Sequence, residues 1–407
     1  MKTVKPDAPP LSGVRVLDFG HVLAAPFCTR LLADLGADVV RVESSKHPDF
    51  PWPSSYRHSD GRHASYLNTN RNKRSVSIDL KHPAGRDIAR RLAEAADVVV
   101  ENFSAGVMDR LGLGYESLRS ANPRLVFASM SGYGHSGPRR DWTSMNMNLQ
   151  GAAGLMQVTG AEGDPPTAIS NSWNDYIGGL HTCYAVIGAL TERETTGHGI
   201  HLDMGQFECS VSMIAPLLLF SAVQGRSPER MGNRSDRCAP RGVYQCAGVD
   251  QWCAVSVHDD AQWRALAEAV AETVPDAGLA GDARFATVEE RQRHHDEIDT
   301  RIEAWTRGLE SADVETRLRR AGVPAARMRR VQDLVEDGSP SRAYKRMAEP
   351  RVGSMLTTAL PFEFSESALP AATPAPCLGQ HTREVLREWL ALPESELAEL
   401  AGTGALV

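Results

Sequence analysis

The sequence predicts an α/β protein: a mostly parallel sheet domain followed by a smaller α+β domain. Three observations carry that expectation. Val-rich strand-like runs alternate with helical patterns between residues 14 and 134, the signature of βαβ units. From about residue 225 the chain turns Gly-, Arg- and polar-rich, then resumes with a hairpin pattern and helical ones. At 407 residues it is long enough for two domains.

The first strand is expected at "VRVLDFG" (14–20), where apolar and polar residues roughly alternate. "APFCTRLLADLGA" (25–37) has helical spacing and ends at Gly36, and "DVVRVE" (38–43) is a second strand. "RSVSIDL" (74–80) is a third strand, followed by a helix through "AGRDIARRLAEAA" (84–96) and the strand "DVVVENF" (97–103). A short helix around Val107–Leu111 leads into the strand "RLVFASMSGYG" (124–134). Crevices at the carboxyl ends of such parallel strands are the default ligand sites.

"NSWNDYIGGLHTCYAVIGAL" (171–190) places Ile177, Leu180, Tyr184, Ile187 and Leu190 on one helical face. Gly178 and Gly179 sit in its first turn, just after Asp175. Each helical glycine costs roughly 1 kcal/mol relative to alanine, so a helix that begins this way needs a physical reason. "SMIAPLLLFSAV" (212–223) is the most apolar piece; it is too short to span a membrane and is expected to be a buried helix. Residues 225–248 read as a linker or loop, and 243–258 as a hairpin turning near Gly248–Asp250. Helices are expected around 260–271 and 296–310, with a charged exposed stretch at 288–297. Residues 363–392 form a Pro/Ala-rich crossing piece and a final helix.

Composition excludes several function classes. A formal charge of −7 lacks the basic excess of a nucleic-acid binder. The N-terminus carries no signal-like apolar stretch, and no run approaches the ~18 apolar residues of a membrane span. Seven cysteines without a CxxC pair fit reduced thiols in a cytoplasmic protein, with neither a disulfide scaffold nor a metal site. GxSxG, GxxxxGK[ST] and HExxH are absent, and the first strand runs into "GHVLAAP" instead of GxGxxG.

Asp175 then has two readings. It is a good helix N-cap, since its carboxylate can accept backbone N–H bonds. It is also well placed as a covalent nucleophile: residues without Cβ admit close approach, and neighbouring N–H groups can stabilise an oxyanion.

Long motifs bear on the choice. "LSGVRVLDFGHVLAAPFCTRLLADLGADVVRVE" (11–43), "NRNKRSVSIDLKHPAGRDI" (70–88), "ADVVVENFSAGVMDRLGLGYESL" (96–118) and "NPRLVFASMSGYGHSGP" (122–138) resemble the family III CoA-transferases. So do "DYIGGLHTCYAVIGAL" (175–190), "GHGIHLDMGQFECSV" (197–211), "AGVPAARM" (321–328) and "LGQHTREVL" (378–386), in order and without large gaps. The resemblance implies a Rossmann-like sheet domain formed by both chain ends and a smaller α+β domain, in an interlocked homodimer. Residues 1–225 would be the large CoA-binding domain and 226–330 the small one, with 331–407 a linker and a segment returning to the large domain. It implies no tightly bound cofactor; coenzyme A and acyl-CoA are substrates, with a small carboxylic acid.

In that family an Asp followed four residues later by Gly, after a "GDPPT"-like segment, is the nucleophile; here these are Asp175, Gly179 and residues 163–167. The resemblance implies CoA contacts at Asn102, Phe103 and Arg110. Lys81 and Arg74 are further candidates because phosphates favour such donors. His21 and Val22 are candidates because they follow the first strand at the crevice, and Ile78 is also expected at the CoA site. For Lys73 and Arg74 a solvated turn before a strand is the plainer expectation. Leu23, Tyr133, Met145, Asn146, Gly178 and Gly179 would line the acyl pocket. Met145, Met147, Trp173, Tyr176 and Met213 would make that pocket roomy and partly apolar, favouring a medium or aromatic acid over formate.

Departures from relatives stand at Ser44 and Leu23, where some carry Arg and Gln, and at 232–242, the nearest stretch to a glycine-rich active-site loop. The same fold serves α-methylacyl-CoA racemases, which pair an Asp with a His as acid and base. Met145 takes the position of that His and cannot shuttle a proton, which favours the transferase. An acyl-CoA-binding protein without catalysis is the remaining alternative.

Overall fold

The computed structural model describes residues 8–49, 63–336, 343–350 and 353–407. Strands β1 (Arg15–Asp18), β2 (Asp38–Glu43), β3 (Arg74–Ser77), β4 (Val98–Glu101), β5 (Val126–Ser131) and β6 (His201–Gly205) form one sheet in the order β3-β2-β1-β4-β5-β6. All its pairings are parallel. This is the Rossmann-like doubly wound order, with its topological switch point between β1 and β4.

The strands are Val-rich because both faces of the sheet are covered. Leu17, Val40, Val76, Val99 and Phe127 face one core, shared with Ile88 and Leu92 of the Pro83–Glu94 helix. Val385, Leu386 and Trp389 of the Thr382–Leu390 helix join the same core, so the chain's last segment packs on the sheet it began. The alternate residues Val16, Val39, Val98, Val100, Val126 and Ala128 face the second core. There they meet Leu32 of the Ala24–Asp34 helix and Val186 of the Trp173–Thr196 helix. Each such Val or Leu contributes roughly 1.5–3 kcal/mol by burial.

The C-terminal return is also hydrogen-bonded to β3 and the residues after it. His381 N–H donates to Ser75 O (2.9 Å), Asp79 N–H donates to Ala405 O (2.9 Å), and Ile78 bridges Leu406. β6, "HLDMG", is not predicted from sequence; as an edge strand it is covered less and carries polar residues.

The chain separates into two compact units: Met1–Met156, Ala168–Ser227 and Pro340–Val407 form one, and Gln157–Thr167 with Pro228–Ser339 the other. In the second, β7 (Arg241–Gln245), β8 (Trp252–Ser256) and β9 (Ala325–Arg327) pair antiparallel. Gly248 and Asp250, both at positive φ, make the β7–β8 turn. Trp263, Phe285, Ile298, Ile302 and Trp305 fill this unit's core.

Three expectations are corrected. The charged stretch 288–297 is not uniformly exposed: Arg291 is fully buried, and its guanidinium donates to Ala239 O, Phe285 O and Asp260. Part of the supposed linker forms an antiparallel hairpin of β10 (Tyr344–Glu349) and β11 (Gly353–Thr358), which belongs to the first unit. The apolar run 212–223 is not a buried helix. It breaks at Ile214 into helices Gln206–Met213 and Ala215–Gln224, bent by 71°. Pro216 sits in the first turn of the second helix, where its missing N–H costs nothing. None of that helix's residues is buried, and Leu218, Leu219 and Val223 are more than half exposed. Among the described residues no single helix is long and apolar enough to cross a membrane.

Candidate active site

The site is built at the carboxyl edge of the parallel sheet. Phe19 N–H, leaving β1, donates to Val100 O of β4 (2.9 Å) and holds the two strand ends together across the switch point. Two residues on, His21 and Asn102 bond reciprocally: His21 N–H donates to Asn102 Oδ1 (2.8 Å), and Asn102 Nδ2 donates to His21 O (3.0 Å). The His21 and Phe103 rings lie 5.3 Å apart. Val22 has φ +62°, a left-handed conformation that costs a β-branched residue of order 1–3 kcal/mol. The strain is held by a bond from Val22 N–H to Asp49 Oδ1 (2.8 Å), and Asp49 is itself held by Arg41 (2.8 Å).

Beneath this edge lies an ion pair with both partners fully buried. Lys73 Nζ donates to Asp18 Oδ2 (2.9 Å), Pro26 O (2.9 Å) and Asn70 Oδ1 (2.8 Å), using all three of its protons. Asp18 Oδ1 accepts the Gly20 N–H (2.7 Å), which sets the turn toward His21. Burial pushes the Asp18 carboxyl up, but Lys73 and Arg41 outweigh it and hold it below its ordinary range. Burial pulls Lys73 down to about 8 despite Asp18. Lys73 is therefore not a solvated turn residue: it precedes β3, and its ammonium is enclosed by Asp18, Pro26 and Asn70.

Asp175 occupies the third position of the Trp173–Thr196 helix, so it is not the N-cap. The cap is Ser172, which with Asn171 takes a left-handed conformation (φ +52° and +66°) and makes no side-chain cap bond. Asp175 N–H donates to Ser172 O (3.0 Å). Burial raises its carboxyl to about 6, and the side chains of Gln206 and Ser172 only partly oppose that. Among the described residues no cation is among the groups that shift it. Gln206 opens the helix that follows β6, so Asp175 is tied to the same sheet edge.

The two glycines face protein. A Cβ on Gly179 would lie 2.7 Å from Phe27 Cδ1 and 2.9 Å from Ala24 O, and one on Gly178 3.2 Å from Gln206 Cγ. The helix begins at Trp173, so both glycines fall in its second turn, not its first, and the bare turn lets it close on the Ala24–Asp34 helix. Tyr176 meets the Phe27 ring edge-on at 4.8 Å. Packing, not an open pocket, explains both glycines.

The remaining expected residues divide. Leu23 and Tyr133 are buried at the same edge, with Tyr133 against Trp142 and Phe207. Lys81 and Arg110 are exposed after β3 and β4. Met145 is exposed at the start of the Asn146–Ala152 helix, and Asn146 Oδ1 accepts from Gln150. Two candidates are not brought to the site. Arg74 stands at the amino end of β3 and is taken up by Asp38 (2.6 Å), Glu384 (3.1 Å) and Glu388 (2.6 Å). Ile78 is completely buried in the core. Asp18, Asp49, Glu101 and Gln206 are not singled out from sequence, because their roles depend on partners distant along the chain, such as Lys73 for Asp18 and His135 for Glu101.

Among known proteins, the chain matches the model of CoA-transferase family III over residues 11–382. It is 32% identical over 394 residues to a succinyl-CoA–D-citramalate CoA-transferase from Chloroflexus aurantiacus, covering 96% of each chain. It is 33% identical over 388 residues to a succinate–glutarate CoA-transferase from Agrobacterium fabrum, covering 93% of this chain and 96% of the relative. The crystal structure of a CAIB/BAIF family protein from Brucella suis superposes with a TM-score of 0.86 at 31% identity, covering 94% of this chain and all of that one. The chain belongs to CoA-transferase family III.

Proposed function

We propose that this enzyme moves CoA between an acyl-CoA thioester and a free carboxylic acid through covalent intermediates on Asp175. Asp175 Oδ attacks the thioester carbonyl carbon and the C–S bond breaks, giving an aspartyl–acyl anhydride and the CoA thiolate. The thiolate attacks Asp175 Cγ and expels the donor acid, leaving an aspartyl-CoA thioester. The acceptor carboxylate attacks the same carbon and releases CoA thiolate, which takes the acceptor's acyl group and frees Asp175. Overall one CoA thioester is exchanged for another, so no nucleotide is consumed. The relatives' names, with citramalate and glutarate as acids, support a small carboxylic acid as acceptor.

The observation that carries the reading is a desolvated carboxylate at about 6 in the first turn of a long helix, with no cation among the described groups that shift it. A carboxylate removed from water is a stronger nucleophile than a solvated one, and first-turn N–H groups favour developing negative charge. His21, Val22, Asn102, Phe103, Lys81 and Arg110 are the CoA contacts of this proposal. Leu180, Tyr184, Met213, Leu218, Leu219 and Val223 leave an exposed apolar surface on the first unit, which supports an intimate homodimer.

The test is intact-protein mass after mixing with an acyl-CoA, with hydroxylamine or borohydride trapping. An adduct on the peptide carrying Asp175, absent in Asp175→Ala, is expected. kcat/KM should fall as pH drops below about 6, where Asp175 takes up a proton. An Asp175→Ala enzyme as active as wild type would sink the mechanism.

A further inference from the structure

We propose that Glu101 positions the Asn102–Phe103 clamp for CoA and shares a proton with His135, tying the clamp to the loop that carries Tyr133. The proposal rests on the CoA reading of this edge. Glu101 ends β4 and is completely buried. Its Oε2 accepts the Phe103 N–H (2.8 Å), which fixes the backbone that carries Asn102 and hence the reciprocal bonds to His21. Its Oε1 has no partner in hydrogen-bonding geometry among the described residues. His135 Nε2 is likewise buried without a partner, and it lies 3.6 Å from that Oε1.

Neither buried atom has a hydrogen-bond partner among the described residues, and a proton between them, on the carboxyl or on Nε2 of the imidazole, satisfies both. One proton on either atom turns the gap into a hydrogen bond after a shift of a few tenths of an ångström. The surroundings keep that proton available. Burial raises Glu101 to about 7; Ser129 and the Phe103 N–H oppose the shift, and Asp109 and Asp203 add to it. His201, one strand further, holds Ser129 Oγ at 3.0 Å.

His135 is fixed in turn by β6. Asp203 Oδ1 accepts the His135 N–H (2.7 Å) and Asp203 Oδ2 accepts the Ser136 hydroxyl (2.9 Å). The register places Glu101, Ser129 and Asp203 side by side across β4, β5 and β6. The proton therefore links two loops that leave adjacent strands at the site. When it departs at higher pH, a bare carboxylate faces Asp109, Asp203 and the phosphates of incoming CoA, and the clamp loosens.

Calorimetric titration with CoA itself, at pH 6 and pH 8, tests this on wild type, Glu101→Gln, Glu101→Ala and His135→Asn. Wild-type affinity should weaken by about 3- to 10-fold more than that of Glu101→Gln over this step, the size of one or two hydrogen bonds. The glutamine amide keeps the Phe103 bond and bears no proton to lose, so Glu101→Gln should match wild type at pH 6. Glu101→Ala should bind roughly tenfold more weakly at both pH values, and in turnover should raise KM for acyl-CoA while leaving kcat nearly unchanged. His135→Asn should move the midpoint of the step. A pH step that survives in Glu101→Gln overturns the proposal, as does wild-type binding by Glu101→Ala. Should Glu101→Ala fail to fold, the glutamine and His135 variants decide alone. Wild type that binds no CoA at either pH refutes the CoA reading of the site, and the proposal with it.

Discussion

Substituting alanine for Gly179 adds one methyl group 2.7 Å from Phe27 Cδ1, 2.9 Å from the Ala24 carbonyl oxygen and 3.3 Å from the Cys28 amide nitrogen. Two of those atoms are backbone of the facing helix, so no rotamer change relieves the overlap. The intrinsic helix gain of Gly→Ala is about 1 kcal/mol, whereas overpacking against a fixed neighbour costs about 1–3 kcal/mol. The net expectation is a loss of up to about 2 kcal/mol, since the contact cannot relax without separating the two helices. Gly188, in the same helix, is the control: nothing lies within 4 Å of its added Cβ. Gly188→Ala should therefore gain about 0.5–1 kcal/mol. Denaturant melts of both variants, read beside wild type, should move in opposite directions. Gly179→Ala should also lose activity, because Asp175 sits one turn away on the displaced helix end. If both substitutions stabilise the protein equally, the close helix approach is not why Gly179 is glycine.

Three further outcomes follow from the same geometry. Lys73→Met strands the buried Asp18 carboxylate and should cost about 3–5 kcal/mol, while Asp18→Leu combined with Lys73→Met should recover most of it; thermal melts distinguish the two. Glu101 keeps its proton in the folded protein up to about 7 but loses it near 4.5 when unfolded. The folded state then binds more protons between those values, so stability falls as pH rises through that window, by up to about 3 kcal/mol. Glu101→Gln should flatten that slope in urea melts taken from pH 4.5 to pH 7.5. Arg74→Gln should leave CoA affinity within about twofold by calorimetry, because its guanidinium serves Asp38, Glu384 and Glu388; a larger loss would return Arg74 to the CoA site.

Much of the sheet domain was legible before any coordinates. β1, β2, β4 and β5 announce themselves because buried parallel strands need apolar residues on both faces, and the glycine at 36 and the proline at 83 mark helix ends. β6 was not legible, since an edge strand reading "HLDMG" carries no such run. The helix Ala215–Gln224 was misread for the opposite reason. Its composition is that of a core helix, yet nothing within the described chain covers it, so apolarity there reports an unpartnered surface.

Of the site, sequence by itself determined the chemistry on offer: one carboxylate in a glycine-bearing helix start, within long motifs of a CoA-transferase family. It also determined that the crevice lies at the carboxyl edge of a parallel sheet. Tertiary structure decided which residues share that edge. His21 meets Asn102 and Glu101 meets His135 across strands distant in sequence, while Arg74, equally basic and close to the motif, is spent on three carboxylates elsewhere. It also reassigned the glycines from substrate access to helix packing and lifted Asp175 to about 6 by burial. Residue type and spacing fix what a side chain can do, but desolvation and pairing belong to neighbours that only folding brings within a few ångströms.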